Sequence, residues 1–113
     1  HKITCVLDCG PTHNPHFVHQ QVEGSIIFGL NAVMLGEINV PNGQIVESNY
    51  DDYKMMRLKD IPPIDVHLVA SNAKQGRIGE IGTPVIGPAV ANAVFAATGK
   101  RVRRLPIRKE DLV

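Results

Sequence analysis

Val18-His19-Gln20-Gln21-Val22-Glu23-Gly24-Ser25-Ile26-Ile27-Phe28-Gly29-Leu30-Asn31-Ala32-Val33-Met34-Leu35 is the stretch from which the rest of the fold is read. Val22, Ile26, Leu30 and Val33 recur at spacings of three and four, which places them on one face of a helix. Ile27, Phe28 and Met34 are expected to widen that face, and Gly36 suits the C′ position that ends it. Gly24 and Gly29 lie inside the pattern. Each costs roughly 1 kcal/mol relative to alanine in an exposed helix, so they make sense where another backbone or a ligand comes close.

Upstream, Ile3 to Asp8 reads as a strand, and Cys9-Gly10-Pro11-Thr12-His13-Asn14-Pro15 is dense in turn residues. Downstream, Glu37-Ile38-Asn39-Val40 and Gln44-Ile45-Val46-Glu47 flank Pro41-Asn42-Gly43, which predicts a β-hairpin. Asn49 to Asp60 is polar and irregular. Ile64-Asp65-Val66-His67-Leu68-Val69 alternates strictly, as a half-buried strand does. Ala89 to Ala97 predicts a second helix, with Pro88 in its first turn and Gly99 at its end. Its many alanines imply close packing against a neighbour. Strands and helices mix without regular βαβ alternation, so the expected class is α+β.

Hydrophobic residues make up 43% of the 113-residue chain and charged residues 20%, a balance that folds. The net charge of +1 implies no strong overall field. The longest apolar runs are far too short to span a bilayer. A basic tail holds Lys100, Arg101, Arg103, Arg104, Arg108 and Lys109, but no aromatics interleave with it as in a stacking nucleic-acid binder. A strand-like run starting almost at His1, with no initiator methionine, is expected of a processed product or one segment of a longer polypeptide.

Three groups of residues carry possible chemistry. His13, His16 and His19 invite a metal reading, yet their spacing with Cys5 and Cys9 matches no common zinc pattern. The two cysteines, four apart in an extended strand, sit roughly 13 Å from each other and read as small buried side chains. The most informative stretch is Gly76-Arg77-Ile78-Gly79-Glu80-Ile81-Gly82-Thr83-Pro84. Here a carboxylate sits between glycines just ahead of a helix. Glycines let backbone approach a ligand, and Ile78 and Ile81 are expected to keep Glu80 dry and raise its pKa, as a general base requires.

The order of these segments resembles the molybdenum hydroxylases of the xanthine-oxidase family. Val6-Leu7-Asp8-Cys9-Gly10 with Asn14-Pro15 is similar to their V-D-C-G…N-P strand and loop. Gln21-Val22-Glu23-Gly24 with Phe28-Gly29-Leu30 resembles their Q-V-E-G…Q-G-L helix. Gly79-Glu80 resembles the pair that carries the active-site base. Gly82-Thr83-Pro84 through Leu105-Pro106 is most similar to the isoquinoline 1-oxidoreductase and aldehyde dehydrogenase β-subunit branch. Two positions depart from the pattern. Phe28 stands in place of the second glutamine of the helix motif. Gly76 stands where xanthine dehydrogenases have a lysine, which argues for a substrate other than purines.

The resemblance implies that residues 1–113 form the C-terminal segment of a molybdopterin-binding domain, incomplete without the rest of the molybdenum subunit or a partner chain. It implies a molybdopterin-type molybdenum cofactor contacted by Gln21 and by the Gly79 backbone, with Glu80 as general base. The reaction implied is oxidation of an aldehyde or N-heterocycle with a water-derived oxygen. Implied partners are an iron–sulfur subunit with 2Fe–2S clusters and a flavin or cytochrome subunit. Related enzymes occur in both cytoplasm and periplasm. The competing expectation is a non-catalytic segment that docks a partner subunit.

Overall fold

The computed structural model describes residues 1–112. Four regular elements carry the fold: strand β1 (Ile3–Leu7), helix α1 (Pro15–Met34), strand β2 (Ile64–Leu68) and helix α2 (Gly82–Thr98). Single 3₁₀ turns cover Pro41–Gly43, Leu58–Asp60 and Lys109–Leu112. Helices and a small sheet in this order make an α+β arrangement. No described helix is long and apolar enough to cross a membrane.

β1 and β2 pair in parallel, Ile3 opposite Ile64 and Leu7 opposite Leu68. A parallel pair needs a long crossover, and α1 with the following segment supplies it. Along β1 the side chains of Ile3, Cys5 and Leu7 turn towards the core, while Val6 is exposed. β2 repeats the pattern with Ile64, Val66 and Leu68. That is the period-two alternation of a sheet with one buried face.

α1 starts earlier than the periodicity predicts because Asn14 caps it. The Asn14 side chain accepts the Phe17 N–H at 3.3 Å, and Pro15 occupies the first turn. Val18, Val22, Ile26, Leu30 and Val33 are buried, and burying each such side chain stabilises the fold by roughly 1.5–3 kcal/mol. The expected widening of this face is corrected: Phe28 is 69% exposed and Met34 39%. Gly36 takes the position after the C-cap, and its N–H donates to the Asn31 carbonyl at 2.9 Å.

α2 begins at Gly82, so Pro88 lies inside the helix and not in its first turn. Proline there has no N–H for the Pro84 carbonyl one turn back. Gly99 ends the helix with φ 73°, the left-handed conformation that favours glycine. The alanines are not what packs against α1. Gly82 and Ile86 are buried, Val90 and Val94 are half-buried, and Ala89, Ala93, Ala96 and Ala97 face outward. After α2, Ile107 seals the far end of the core and its N–H donates to the Val33 carbonyl at 2.8 Å. The tail is only partly solvated: Arg108 pairs with Glu37, and the Arg101 guanidinium stacks 3.5 Å from the Phe95 ring centre.

The predicted hairpin does not form. Residues 37–47 make a loop with two backbone bonds, Val46 N–H to the Asn39 carbonyl at 2.9 Å and Gln44 N–H to the Pro41 carbonyl at 3.1 Å. Asn39 donates its backbone and side-chain N–H groups to the Glu47 carboxylate, both at 2.7 Å. Ile38, Val40, Ile45 and Val46 are all more than half exposed. With no buried face to fix a register, two short strands do not hold a ladder.

Candidate active site

Glu80 sits on the loop between β2 and α2, and α1 grips that loop on both sides of it. One turn of α1 brings Gln21 and Ser25 to the same face. The Gln21 Nε2 donates to the Gly79 carbonyl at 2.6 Å. The Ser25 hydroxyl accepts the Gly82 N–H at 3.0 Å and donates to the Val22 carbonyl at 2.8 Å. Between these two anchors lie only Glu80 and Ile81. The Thr83 hydroxyl adds a third tie, donating to the Ser25 carbonyl at 3.0 Å.

The Ser25 contact meets a specific need. Ile81, at the N-cap of α2, has no capping side chain, so the first N–H groups of the helix need partners elsewhere. Gly82 N–H finds Ser25, Thr83 N–H finds the Glu80 carbonyl at 3.1 Å, and Pro84 has no N–H. Ser25 is thus a cap supplied by the neighbouring helix, and it is the buried polar side chain on a face otherwise made of apolar residues. The approach is close enough to demand glycine. A Cβ on Gly82 would lie 2.5 Å from the Ser25 Oγ and 2.9 Å from the Ile26 nitrogen. One on Gly29 would lie 2.6 Å from the Thr83 carbonyl oxygen. Gly24 has nothing within 4 Å of such a Cβ, so the close approach expected at both helix glycines occurs only at Gly29.

The same loop is tied further back to the end of β1. Gly76 N–H donates to the Cys9 carbonyl at 3.0 Å. Asp8 accepts the Ser71 hydroxyl at 2.6 Å and the Gly10 N–H at 3.1 Å, and these bonds hold its carboxyl below the ordinary value of 3.8. Gly76 itself is not sterically forced, since an added Cβ would reach only ordinary contact with Cys9, at 4.0 Å.

Gln21 and Gly79, singled out separately in the sequence, are therefore direct partners, and Glu80 is the next residue. The expected dry surroundings of Glu80 are not built by this chain. Glu80 is exposed, Ile78 turns into the core and Ile81 is 37% exposed. A cleft of about 440 Å³ opens beside the loop, lined by Phe17, Gln20, Gln21, Ile78 and Gly79. Among the described residues, the Gln21 Oε1 and the Gly79 N–H have no hydrogen-bond partner. A wider cleft of about 770 Å³ lies at the C-terminal ends of the strands, between the loop after β1 and His67 to Asn72. Among the described residues no group of three His, Cys, Asp or Glu side chains is arranged to hold a metal ion. The cysteines are free, Cys9 buried and Cys5 half-buried.

The loop and the facing turn of α1 present an exposed carboxylate and, beside a cleft, free amide groups. Comparison with known proteins gives the chain its family. The family model described as the molybdopterin cofactor-binding domain matches residues 1–62, more than half of the chain. The β subunit of isoquinoline 1-oxidoreductase from Brevundimonas diminuta is 36% identical over 107 residues, 95% of this chain and 14% of that one. A protein of Gluconacetobacter polyoxogenes named as a membrane-bound, pyrroloquinoline-quinone aldehyde dehydrogenase is 36% identical over 112 residues, 99% of this chain and 14% of its own. The solved quinoline 2-oxidoreductase of Pseudomonas putida 86 superposes with a TM-score of 0.85 at 26% identity, over 96% of this chain and 15% of that one. The chain belongs to the molybdopterin cofactor-binding domain family of the xanthine-oxidase-type molybdenum subunits. It spans about one-seventh of the length of the curated relatives it matches.

Proposed function

We propose that this chain is the C-terminal segment of the cofactor-binding domain of a molybdenum hydroxylase, and that Glu80 is the general base of its reaction. The reaction is oxidation of an aldehyde or an N-heterocycle, with the inserted oxygen drawn from water. The observation that carries the reading is the 2.6 Å contact from Gln21 to Gly79. It joins the helix motif to the glutamate loop at a cleft lined by Gln21 and Gly79, with Glu80 the next residue along the chain.

The groups lining that cleft suit the organic part of a molybdopterin-type cofactor. The Gln21 amide has an acceptor and a second N–H to offer, and the Gly79 N–H is a further donor. When bound, the cofactor supplies the two-electron acceptor and the metal centre at which water-derived oxygen is delivered. Gln21 has two tasks in this scheme: one N–H holds the loop, and the remaining polar atoms face the cofactor. Glu80 takes up a proton on a carboxylate oxygen as the oxygen is transferred, and the other wall of the site excludes water from it. A well-placed base of this kind contributes typically 10²–10⁴-fold in rate. The remaining molybdenum-subunit chain completes the pocket, and an iron–sulfur partner with 2Fe–2S clusters removes the electrons, passing them to a flavin or cytochrome subunit. Although one relative's name includes pyrroloquinoline quinone, the family match over residues 1–62 favours molybdopterin.

The test is Glu80→Gln in the whole assembly, an exchange that keeps size and hydrogen bonding but removes the base. Molybdenum content and thermal stability should stay unchanged while turnover falls about 10²–10⁴-fold. Near-normal turnover would remove Glu80 from the chemistry and leave the chain as a docking segment.

A further inference from the structure

We infer that Ser25 is a positioning residue for Glu80, acting through the Gly82 N–H at the start of α2. The inference depends on the reading of Glu80 as the base. Its grounds are geometric. The Ser25 residue is 5% exposed, and its hydroxyl bridges the two helices: it donates to Val22 in its own helix and accepts from Gly82 in the next. The donation uses its one O–H and orients the oxygen, with a lone pair towards the Gly82 N–H. Gln21 holds Gly79 one turn earlier on α1. The two anchor residues are four apart on one helix, about 6 Å along its axis.

The loop they hold runs from Gly79 to Gly82 and cannot slide along α1. Gly79 alone would fix one end and leave Glu80 to rotate about it. With Gly82 also held, both flanks of the Glu80–Ile81 dipeptide are tied to α1, and the bond from the Thr83 N–H to the Glu80 carbonyl restrains the backbone between them. Thr83, through the Ser25 carbonyl, resists rotation of α2 about that point. The absence of space for a Cβ on Gly82 has the same cause: the backbone of the loop is pressed against Ser25 and Ile26. A serine hydroxyl at this position is therefore read as setting where the carboxylate stands, because misplacing a reacting group by about 1 Å can cost 10²-fold in rate.

Ser25→Ala removes the acceptor without adding bulk. In the assembled holoenzyme, kcat is expected to fall about 10–10²-fold while KM changes less than about threefold, because substrate contacts are untouched. Hydrogen exchange in the peptide containing Gly82 should speed up, and this readout does not depend on turnover. Ser25→Cys, whose sulfur is a weak acceptor, should fall between wild type and Ser25→Ala in both measurements. In a Glu80→Gln background, Ser25→Ala should cause little further loss. Glu80→Gln with near-normal turnover would overturn the base reading and this inference together. Loss of turnover in Glu80→Gln alongside kcat within about twofold for Ser25→Ala would overturn the inference alone. So would an equal Ser25→Ala loss in the Glu80→Gln background, or failure of both Ser25 variants to load molybdenum, since either makes Ser25 a folding residue only.

Discussion

The α1–α2 crossing and the segment from residue 37 to residue 60 are held by opposite means. At the crossing, backbone meets backbone: Gly29 faces the Thr83 carbonyl and Gly82 faces Ser25 and Ile26, with no room for a methyl group. The segment 37–60 is mostly exposed; apart from the Glu37–Arg108 pair at its start, its side-chain bonds mostly join near neighbours, Asn39 to Glu47 and Ser48 to Asp52. Among the described residues it is tied to α1 by one hydrogen bond, the Met56 N–H to the Asn31 side chain at 2.8 Å, and by Met56 packing at the edge of the core. Glu80 is anchored in the first region. The consequence is that small volume changes at the crossing should reach the chemistry, whereas charge or bond changes in the segment should not.

The largest break in this contrast is Gly29→Val. A Cβ there already meets the Thr83 oxygen and the Ile86 methyl at 2.6 Å, and valine adds two more carbons. Overpacking of this kind costs typically 1–3 kcal/mol, occasionally more. The expected outcome is a lowered unfolding midpoint together with reduced turnover, measured on the whole assembly. Normal stability would mean that α2 can move away from α1 without penalty, and the two regions would no longer differ.

Gly24→Ala is the counterpart, five residues earlier in the same helix. Nothing lies within 4 Å of the added Cβ, and the helical conformation suits alanine. The exchange should stabilise by about 0.4–1 kcal/mol, chiefly by restricting the unfolded chain. A loss of stability in the assembly would reveal a neighbour packed on Gly24 and would extend the tight region along α1.

The helix face, both strands and the end of α2 at Gly99 were legible in the sequence because each has a local cause: periodicity, alternation or a left-handed glycine. Glu80 stands out as a carboxylate between glycines ahead of a helix, and Gln21 and Gly79 stand out through resemblance. That Gln21 binds Gly79 was not legible, since the two are 58 residues apart and only the fold joins them. Ser25 does leave a signal in the sequence, a polar residue on the buried stripe between Val22 and Ile26. The hairpin failed for a physical reason. Asn-Gly at positions 42 and 43 does supply positive φ, 53° and 78°, but a turn alone cannot hold strands whose apolar residues have no core to face. The early start of α2 is hidden in the sequence because Pro88 suits a first turn, whereas the cap that lets the helix begin at Gly82 comes from another helix.

The smallest effect belongs to Asp52, in the loosely held segment. Its carboxylate accepts the Ser48 N–H at 2.9 Å, the Asn49 N–H at 3.0 Å and the Ser48 hydroxyl at 3.0 Å. The Ser48 backbone bond first, then the Asn49 one, holds its carboxyl below the ordinary 3.8. A carboxylate whose pKa is lowered in the folded state stabilises above its unfolded value, and that contribution is lost as pH falls through the folded one. The local order of residues 48–53 should therefore be constant from neutrality down to about pH 4 and weaken below it. Asp52→Asn imitates the acid form at pH 7. Tryptic cleavage after Lys54 should become faster in that variant, while turnover stays within about twofold, since surface exchanges of this kind seldom move overall stability much. Turnover that fell with Asp52→Asn as it does with Gly29→Val would show that the segment, too, holds Glu80 in place, with Asn31 of α1 as the residue through which it acts.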